Sequence, residues 1–384
     1  MLLAILFPFV QSLILVPKPI VSIFDLNTFN AEHDIDVLAT IGDFTVYTTN
    51  NTSYLGTLEQ FFDIEQEQVY TTGSIRKSIY NFYDNFYDNL DQMLFGNETL
   101  IPWHLDRIVK RDLPLNNKFG VNKCNTNPNV IVNNIVVDTG IDISHPEFQG
   151  RAKWLGNYVD DEDYDGNSHG THCAGLIGSK TFGICKDSNL FAIKVLGSDG
   201  SGSTSSVIAG IDAAFKYHKN QQKIQSTKLV KTIISMSLGG GKSLALNRVV
   251  QATLRDSNFY FVAAAGNENA NACNTSPASV REIMTVMASG IDDKRAYFSN
   301  FGICGDIYAP GVNIQSTIPK GKTAVYSGTS QATPLIAGLF SHYINKYPEL
   351  NMKELKAKIL SDSSVNKIIG NPKQTPNKLG YLGN

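Results

Sequence analysis

The sequence lacks the features of proteins that bind nucleic acids or cross a membrane several times. Its 384 residues include 33 basic and 35 acidic side chains, which give a net charge of -2. It contains no run of Lys and Arg and no basic stripe with interleaved aromatics, so we expect no nucleic-acid partner. Beyond residue 16, no stretch is long and apolar enough to span a bilayer. A chain of this length with 42% hydrophobic residues can form one large globular domain and a smaller one.

The longest apolar run opens the chain as MLLAILFPFVQSLILV. Pro8, Gln11 and Ser12 interrupt it, and it is short for a membrane span. We interpret residues 1–16 as a secretory signal peptide, with an N-terminal anchor as the alternative. This interpretation predicts a secreted protein, either extracellular or at the cell surface, with no membrane span in its mature form.

Composition divides the remaining chain into two parts. Residues 17–100 are polar, contain short β-like runs such as DFTVYTT, and include the repeated segment NFYDNFYDN. Between residues 101 and 384, patterns of buried strands alternate with helical patterns. The strand patterns are VIVNNIVVD, LFAIKVL, TIISMSL, FYFVAAA and IMTVMAS. This alternation predicts an α/β fold with a doubly wound, mostly parallel sheet flanked by helices.

Three loops at the ends of these elements carry residues suited to chemistry. VVDTGI places Asp138 at the end of a strand, and DGNSHGTHCAG places His169 at the start of a helix. SGTSQATP places Ser330 at another helix start, where backbone N–H groups converge. A Ser at a helix start is often only a cap. Asp, His and Ser in this chain order, however, match one known order of the catalytic triad, which favours nucleophilic catalysis.

These motifs resemble those of subtilisin-like serine proteases, in particular the proteinase K and aqualysin branch. The resemblance covers residues 101–384, from IPWHLDRIVKRDLPL to QTPNKLGY, and implies a monomeric peptidase domain acting on proteins and peptides. It also implies that residues 17–100 are a small α+β propeptide and a connector. The propeptide would act as an intramolecular inhibitor, with FFDIEQEQVY as its final strand and cleavage between about residues 75 and 101.

The resemblance assigns a role to each member of the triad. Ser330 would attack the scissile carbonyl, and His169 would act first as general base and then as general acid. Asp138 would hold the imidazole tautomer and stabilise its cation. Asn267, in FVAAAGNENA, would donate its amide to the oxyanion beside the backbone N–H of Ser330. His172, close to His169 on the same helix, is assigned to packing.

Gln331 departs from the family pattern, in which Met usually follows the nucleophile. Met is a thioether that oxidises readily, whereas Gln has a similar length without that chemistry. We therefore expect the enzyme to keep its activity in peroxide better than relatives that carry Met.

Small residues dominate the segments that would line the substrate cleft. By the resemblance, the cleft residues are Ser237, Leu238, Gly239, Gly240, Gly200, Ser201, Gly202, Ala264 and Gly266. They would leave a roomy primary pocket and exposed backbone that can pair with a substrate strand. Nothing resembles the acidic pocket of kexin-like enzymes, so we expect broad cleavage after apolar or aromatic residues. The acidic segment DDEDYD is expected to be a solvated approach to His169, with selection of basic substrates as the alternative.

Five cysteines leave an odd thiol in a protein expected to be secreted. The resemblance implies a disulfide between Cys273 and Cys304, and a free thiol at Cys173 beneath the catalytic histidine. Cys124 and Cys185 receive no assignment.

The resemblance implies no cofactor for catalysis but one structural calcium ion. Its ligands would be the Asp306 carboxylate and the backbone carbonyls of Arg281 and Ile283, completed by water. Arg281 stands where relatives carry proline, and its guanidinium would repel the ion. The alternative is that Asp306 is only a turn residue.

Two other functions stay open at this point. One is a protease of narrow specificity that processes particular proteins, and the other is a secreted binding protein that has lost catalysis. Labelling by a fluorophosphonate probe that disappears in Ser330→Ala would identify the nucleophile and exclude the second.

Overall fold

The computed structural model describes residues 12–18, 35–50, 58–59, 61–72, 101–121, 123–159 and 162–383. The connector and the expected cleavage region, and most of the expected signal peptide, lie outside these residues. Its strands are β1 (Leu13–Pro17), β2 (Asp36–Ile41), β3 (Phe44–Thr49), β4 (Phe62–Gln66), β5 (Val69–Thr72), β6 (Val130–Asp138), β7 (Ala152–Asn157), β8 (Asn189–Lys194), β9 (Ser201–Ser203), β10 (Leu229–Met236), β11 (Leu238–Gly241), β12 (Phe259–Ala264), β13 (Thr275–Ser276), β14 (Met284–Ser289), β15 (Ile307–Pro310), β16 (Ile314–Ile318), β17 (Lys322–Tyr326), β18 (Ser364–Val365) and β19 (Lys378–Leu379). Its helices are α1 (Trp103–Ile108), α2 (His169–Gly178), α3 (Thr204–Ile224), α4 (Leu244–Thr253), α5 (Thr329–Lys346) and α6 (Met352–Asp362).

A nine-stranded sheet forms the centre of the larger domain. Its strand order is β18-β19-β15-β14-β12-β10-β6-β8-β7. Neighbouring strands are parallel except for β18, which runs antiparallel to β19. The five strands predicted from the sequence are the neighbours β8, β6, β10, β12 and β14. They are apolar along their length because both faces of this sheet are covered.

Helices cover the two faces of this sheet. Val132 and Val136 of β6 pack in one cluster with residues of α2, α5 and α6. Ile135 and Val137 of the same strand pack in a second cluster with residues of α3 and α4. Because successive side chains of a strand point to opposite faces, the two clusters lie on opposite sides of the sheet. The predicted doubly wound fold is confirmed.

Local capping explains where several helices begin. The side chain of Ser203 accepts a hydrogen bond from the N–H of Ser206, whose own hydroxyl accepts one from the Ser203 N–H, so α3 begins with a capping box. Asn351 and Glu354 form the same arrangement at the start of α6. Within the described part of the chain, no helix has the length and apolar character required to cross a membrane.

A small four-stranded antiparallel sheet precedes the larger domain, in the order β2-β3-β1-β4. β1 lies inside it, paired with β3 on one side and β4 on the other. Its buried apolar residues are Leu13, Ile14, Leu15 and Val16. The expected signal-peptide boundary at residue 16 conflicts with this finding, because cleavage there would remove four of the five residues of β1. The apolar character of this stretch is explained by the core of the small sheet.

The segment FFDIEQEQVY contributes to two strands, where the sequence predicted one. β4 completes the small sheet, whereas β5 leaves it and joins the larger domain in a separate sheet of order β13-β11-β5-β9. The chain therefore connects the small domain directly to a sheet of the large one.

Two acidic side chains attach the small domain to the helices of the large domain. The Glu65 carboxylate accepts hydrogen bonds from the N–H groups of Leu244 and Ala245 at 2.8 and 3.1 Å, at the start of α4. The Glu67 carboxylate accepts one from the Ser205 N–H at 2.9 Å, at the start of α3. Helix N-termini favour such carboxylates because their first N–H groups have no partner within the helix.

Two disulfides cross-link the large domain. Cys273 and Cys304 are bonded, which confirms the expected pair. Cys124 and Cys185, which the sequence left unassigned, form the second disulfide. Cys173 is a free, buried thiol, as expected.

Candidate active site

Three elements bring Asp138, His169 and Ser330 together. Asp138 is the last residue of β6, His169 is the first residue of α2, and Ser330 lies in the first turn of α5. They meet outside the carboxyl end of a central parallel strand, where open α/β sheets form their sites. All three side chains are buried.

The Asp138 carboxylate holds the His169 ring. Nδ1 of His169 lies 2.7 and 2.9 Å from the two carboxylate oxygens of Asp138, so Nδ1 carries the proton that it donates. In the neutral ring the lone pair is then on Nε2. This atom has no hydrogen-bond partner in the described part of the chain. The ring is therefore oriented to accept a proton at Nε2.

The environment of His169 shifts its pKa. Burial opposes a charge on the imidazole, but the carboxylate of Asp138 outweighs it and raises the pKa of His169 well above its usual value. A general base must be neutral to accept a proton. The neutral form of His169, which can accept a proton, is therefore populated at higher pH than for an ordinary histidine.

The Ser330 hydroxyl contacts Ser237, the residue that directly precedes β11 in the expected substrate cleft. Its Oγ donates to the backbone oxygen of Ser237 at 2.8 Å, and the Ser237 hydroxyl donates to the backbone oxygen of Ser330 at 2.9 Å. The hydroxyl is thus held on Ser237 while Nε2 of His169 stays unpaired. A change of χ1 rotamer moves the Oγ of a serine to a new direction at small cost, and catalytic hydrogen bonds often form only when substrate binds.

Asn267 stands beside Ser330 with its side chain oriented by Thr329. Its Oδ1 accepts hydrogen bonds from the N–H of Thr329 at 2.8 Å and from the hydroxyl of Thr329 at 3.1 Å. Gly266, with φ of 103°, supplies the left-handed turn that aims Asn267 away from β12. Oδ1 can only accept hydrogen bonds, so the amide Nδ2, which carries the protons, is the atom of Asn267 that can donate to an oxyanion.

The subtilase family model matches residues 132–381, which include all of these residues. The chain belongs to the subtilase family. It is a subtilisin-type serine peptidase, as its similarity to individual relatives also shows.

Several fungal proteins are similar to this subtilase over most of its length. A subtilisin-like serine protease of Rhodotorula mucilaginosa is 44% identical over 297 residues, which cover 73% of this chain and 86% of the relative. Alkaline protease 2 of Aspergillus fumigatus is 42% identical over 74% of this chain and 61% of its own length. Cerevisin of Saccharomyces cerevisiae is 41% identical over 75% of this chain, and the match spans 48% of cerevisin.

A solved structure supports the fold. The crystal structure of a cold-adapted subtilisin-like serine proteinase superimposes with a TM-score of 0.67 at 38% identity, covering 74% of this chain and 99% of that one. The similarity therefore extends across the whole of that proteinase, while the remaining quarter of this subtilase has no counterpart in it.

Asp165 supports the triad of this subtilase and was missed by the sequence reasoning. Asp165 is the last residue of the acidic segment DDEDYD, which was expected to be solvated, yet this residue is only 1% exposed. Its carboxylate accepts hydrogen bonds from the hydroxyls of Thr139 at 2.8 Å and Thr171 at 2.5 Å. It thus joins the residue that follows Asp138 to the helix that begins with His169. No local pattern distinguishes Asp165 from the other acids of the segment.

The helix of His169 approaches the loop of Asp138 at a glycine. A Cβ at position 170 would lie 2.1 Å from the backbone oxygen of Gly140, closer than any real contact. Gly170 is thus required for the close approach of α2 to that loop. This close approach accompanies the hydrogen bond between Asp138 and His169.

His172 packs in the interior and does not join the triad. Its Nε2 lies 3.2 and 3.1 Å from the backbone oxygens of Ile314 and Ala324, and its ring stacks on Tyr326 at 4.5 Å. Burial, reinforced by the nearby His169, lowers the pKa of His172 to about 3. The expected packing role is confirmed.

Two further residues lie against the triad. The Cys173 thiol donates to the backbone oxygen of Ser330 at 3.5 Å and lies 3.9 Å from Nδ1 of His169. Burial raises the pKa of Cys173, which keeps the thiol protonated. Gln331 is buried, and its N–H donates to the backbone oxygen of Gly328 at 3.1 Å. The expected peroxide resistance stays a prediction.

The strand β5 lies in the cleft between β11 and β9. Thr72 is paired with Leu238 of β11, and its N–H donates to the backbone oxygen of Gly200 at 2.9 Å. Tyr70 is paired with Gly202 of β9. The segments expected to bind substrate therefore flank one strand of the small domain. Of the other expected cleft residues, Ser201 belongs to β9, Gly239 and Gly240 belong to β11, Ala264 ends β12, and Gly266 precedes Asn267.

Tyr70 fills a space that Gly240 leaves open. The Tyr70 side chain is fully buried, and a Cβ at position 240 would come within 3.0 Å of its ring. Burial raises the pKa of Tyr70, so the phenol remains neutral. This part of the cleft accommodates an aromatic side chain.

The expected calcium ligands of this subtilase are occupied by a lysine. The ammonium of Lys356 donates to the backbone oxygens of Arg281, at 2.9 Å, and Ile283, and to the Asp306 carboxylate, at 2.7 Å. A calcium ion at the same oxygens would collide with this ammonium and be repelled by its charge. These residues do not fit calcium while Lys356 is in place, so the expectation of a metal site here is wrong.

Proposed function

We propose that this subtilase is a secreted serine endopeptidase of broad specificity, with a preference for apolar or aromatic residues, and that it is made as a zymogen. The observation that carries this proposal is the antiparallel strand β5, which lies between β11 and β9, next to the strand that follows Ser237. The propeptide would be the small domain, and the enzyme would process itself.

The mechanism uses the arrangement of the triad. Neutral His169 accepts the proton of Ser330 at Nε2 while the Oγ attacks the scissile carbonyl carbon. The resulting oxyanion accepts hydrogen bonds from Nδ2 of Asn267 and from the backbone N–H of Ser330. The His169 cation, stabilised by Asp138, then gives its proton to the leaving amine. Water repeats these steps on the acyl-enzyme and releases the second product.

The pairing of β5 supports its role as an inhibitor. Peptides commonly bind by adding a strand to an exposed edge, and β5 binds in this manner to both walls of the cleft. Thr71 pairs with Gly239 and Thr72 with Leu238, so β5 runs antiparallel to β11 and its last residue lies beside the residue that follows Ser237. The backbone oxygen of Ser237 holds the Ser330 hydroxyl. This register favours a first cut close to residue 73, slightly before the expected range of 75 to 101.

The chemistry of the cleft supports the proposed specificity. The residues expected to line it are small or apolar, and the buried ring of Tyr70 already lies among them. No carboxylate occurs among those residues to select Arg or Lys. Two disulfides support an oxidising compartment, and hence secretion.

Three chains test the proposal. Full-length wild type should react with a fluorophosphonate probe after losing its N-terminal domain, whereas Ser330→Ala should remain uncleaved and unlabelled. Ser361→Ala, a substitution of an exposed serine on α6, is the matched control and should behave as wild type. Sequencing the new N-terminus locates the cut. Cleavage of a peptide library measures the preference for apolar or aromatic residues at the cleavage site. Normal self-cleavage of purified Ser330→Ala would contradict the proposal.

A further inference from the structure

The ammonium of Lys356 connects three elements at the amino end of the central sheet. Lys356 lies on α6, Ile283 directly precedes β14, and Asp306 directly precedes β15. The side chains of Lys356 and Asp306 are only 13% and 10% exposed, so water screens their attraction weakly. The contact therefore fastens α6 to the beginnings of two neighbouring strands.

Three oxygens at this junction already accept hydrogen bonds from the Lys356 ammonium. A lysine ammonium has three protons, and the three oxygens of Arg281, Ile283 and Asp306 receive one each. The carboxylate oxygen that binds Lys356 also accepts the N–H of Thr285 at 2.8 Å. The N···O separations of 2.9 and 2.7 Å are those of charge-assisted hydrogen bonds.

A divalent cation has different requirements. Calcium takes about six to eight oxygens at roughly 2.3 to 2.6 Å. Here Arg281, Ile283 and Asp306 offer four, and three of them already accept hydrogen bonds from Lys356. Asp306 and Lys356 together are neutral, so an added divalent ion would meet no net negative charge in this pair. Nearby, Arg281 adds a positive charge and Glu282 a negative one, so these two side chains add no net negative charge either.

We propose that Lys356 is a covalently attached replacement for the calcium ion that the resemblance to proteinase K implies at these oxygens. The ammonium is tethered to α6, so its occupancy does not depend on any ion in solution. A bound metal stabilises a protein according to its concentration, whereas this junction stays closed when calcium is absent. The inference concerns stability and does not rest on the proposed catalytic function.

The test uses the full chain in the Ser330→Ala background, which prevents self-digestion. Lys356→Met keeps the length of the side chain and removes its charge. We expect its apparent melting temperature in chelator to fall by about 5 to 10 °C, because the buried Asp306 carboxylate then has no opposite charge beside it. The matched control is Lys358→Met, on the same helix, whose ion pair with Asp362 is more exposed. That control should change the melting temperature by no more than about 2 °C.

The calcium response is the second measurement. The shift in melting temperature between chelator and about 10 mM calcium should be the same for the parent chain and for Asp306→Asn, since Asp306 binds no calcium. This comparison also subtracts any calcium bound elsewhere. If Lys356→Met yields no folded protein, Lys356→Gln, which retains an N–H donor, takes its place.

Two results would overturn the proposal. A Lys356 variant as stable as Lys358→Met would show that the ammonium does not hold the junction. A calcium response that Asp306→Asn abolishes would show that the metal binds at Asp306 despite Lys356.

Discussion

The two ends of the central parallel strands each hold a buried carboxylate beside a nitrogen base. At the carboxyl end, Asp138 terminates β6 and binds the ring of His169. At the amino end, Asp306 precedes β15 and binds the ammonium of Lys356. The two pairs differ in whether the nitrogen-bearing side chain keeps an atom without a hydrogen-bond partner. His169 keeps Nε2 without a partner in the described structure, whereas the hydrogen bonds of Lys356 account for all three of its protons.

Because of this difference, the His169 pair is suited to proton transfer and the Lys356 pair to stabilising the fold. A base with one unpaired nitrogen can take up and release a proton, which catalysis requires. An ammonium with three partners cannot release a proton without leaving a buried carboxylate unpaired, which is costly. Ligands and reactions commonly occupy the carboxyl end of a parallel sheet, and here the amino end is used to fasten a helix.

The largest expected effect comes from a substitution in the triad, at the carboxyl end of the sheet. His169→Ala should reduce the rate of self-processing by about a millionfold, the loss in kcat known for the triad histidine of subtilisin. Lys356→Met should instead process normally and lose stability relative to its parent. Processing is followed by gel and stability by thermal unfolding. His342→Gln, a partly exposed histidine on α5, is the control.

Processing of purified His169→Ala at a rate close to that of His342→Gln would contradict this assignment. A loss of processing in Lys356→Met as large as that in His169→Ala would contradict the contrast between the two ends.

The pH dependence sharpens the same comparison. Because Asp138 raises the pKa of His169, its neutral form accumulates only as pH rises, so the acid limb of kcat/KM should lie above the ordinary histidine value of about 6.5. Asp138→Asn should lower kcat by about 10⁴ and shift this limb to lower pH, since the carboxylate that favours the cation is gone. Initial rates on an uncharged peptide from pH 5 to 10, roughly, measure both.

Lys356→Met provides the control for that profile, because its ion pair lies at the other end of the sheet. An acid limb that Asp138→Asn leaves in place, or that Lys356→Met moves equally, would show that another group sets the pH dependence.

A smaller effect tests the oxyanion donor. Asn267→Ala should lower kcat by about 10² to 10³ with little change in KM, because its amide binds the transition state more strongly than the substrate. The subtilisin donor that gives this magnitude is the family's own example. Asn267→Asp, of the same size but unable to donate from Nδ2, should lose at least as much. A loss confined to KM would show that Asn267 only binds substrate.

The sequence predicted those features of the fold and the site that are determined by residues close together along the chain. The central strands are continuous apolar runs because both faces are buried, and Asp138, His169 and Ser330 lie in short motifs that can be read locally. Asp165 and Lys356 depend on distant partners. The contacts of Lys356 span 50 to 75 residues of sequence, so no local pattern reveals them.

The apolar run at the start of the chain was difficult to interpret for a different reason. A short apolar run is compatible both with a signal peptide and with a buried strand, and only the pairing of β1 with β3 and β4 decides for residues 13–17. The calcium expectation failed for a related reason. The three oxygens were identified correctly as a group that binds a cation, but the cation comes from a helix later in the chain.

The smallest effect on basal activity concerns Gln331, which is buried next to the nucleophile. Gln331→Met should leave kcat/KM within about threefold, because the two side chains have similar length and flexibility. In peroxide, however, the variant should lose activity several times faster, since a sulfoxide beside Ser330 adds a polar, bulky group to a closely packed site. The control is Lys358→Met, which places a methionine at the other end of the sheet, where oxidation should not affect turnover. Both are compared in a Cys173→Ala background, because that thiol can also be oxidised. Equal inactivation rates for the parent and Gln331→Met would show that the residue after the nucleophile does not determine oxidative stability.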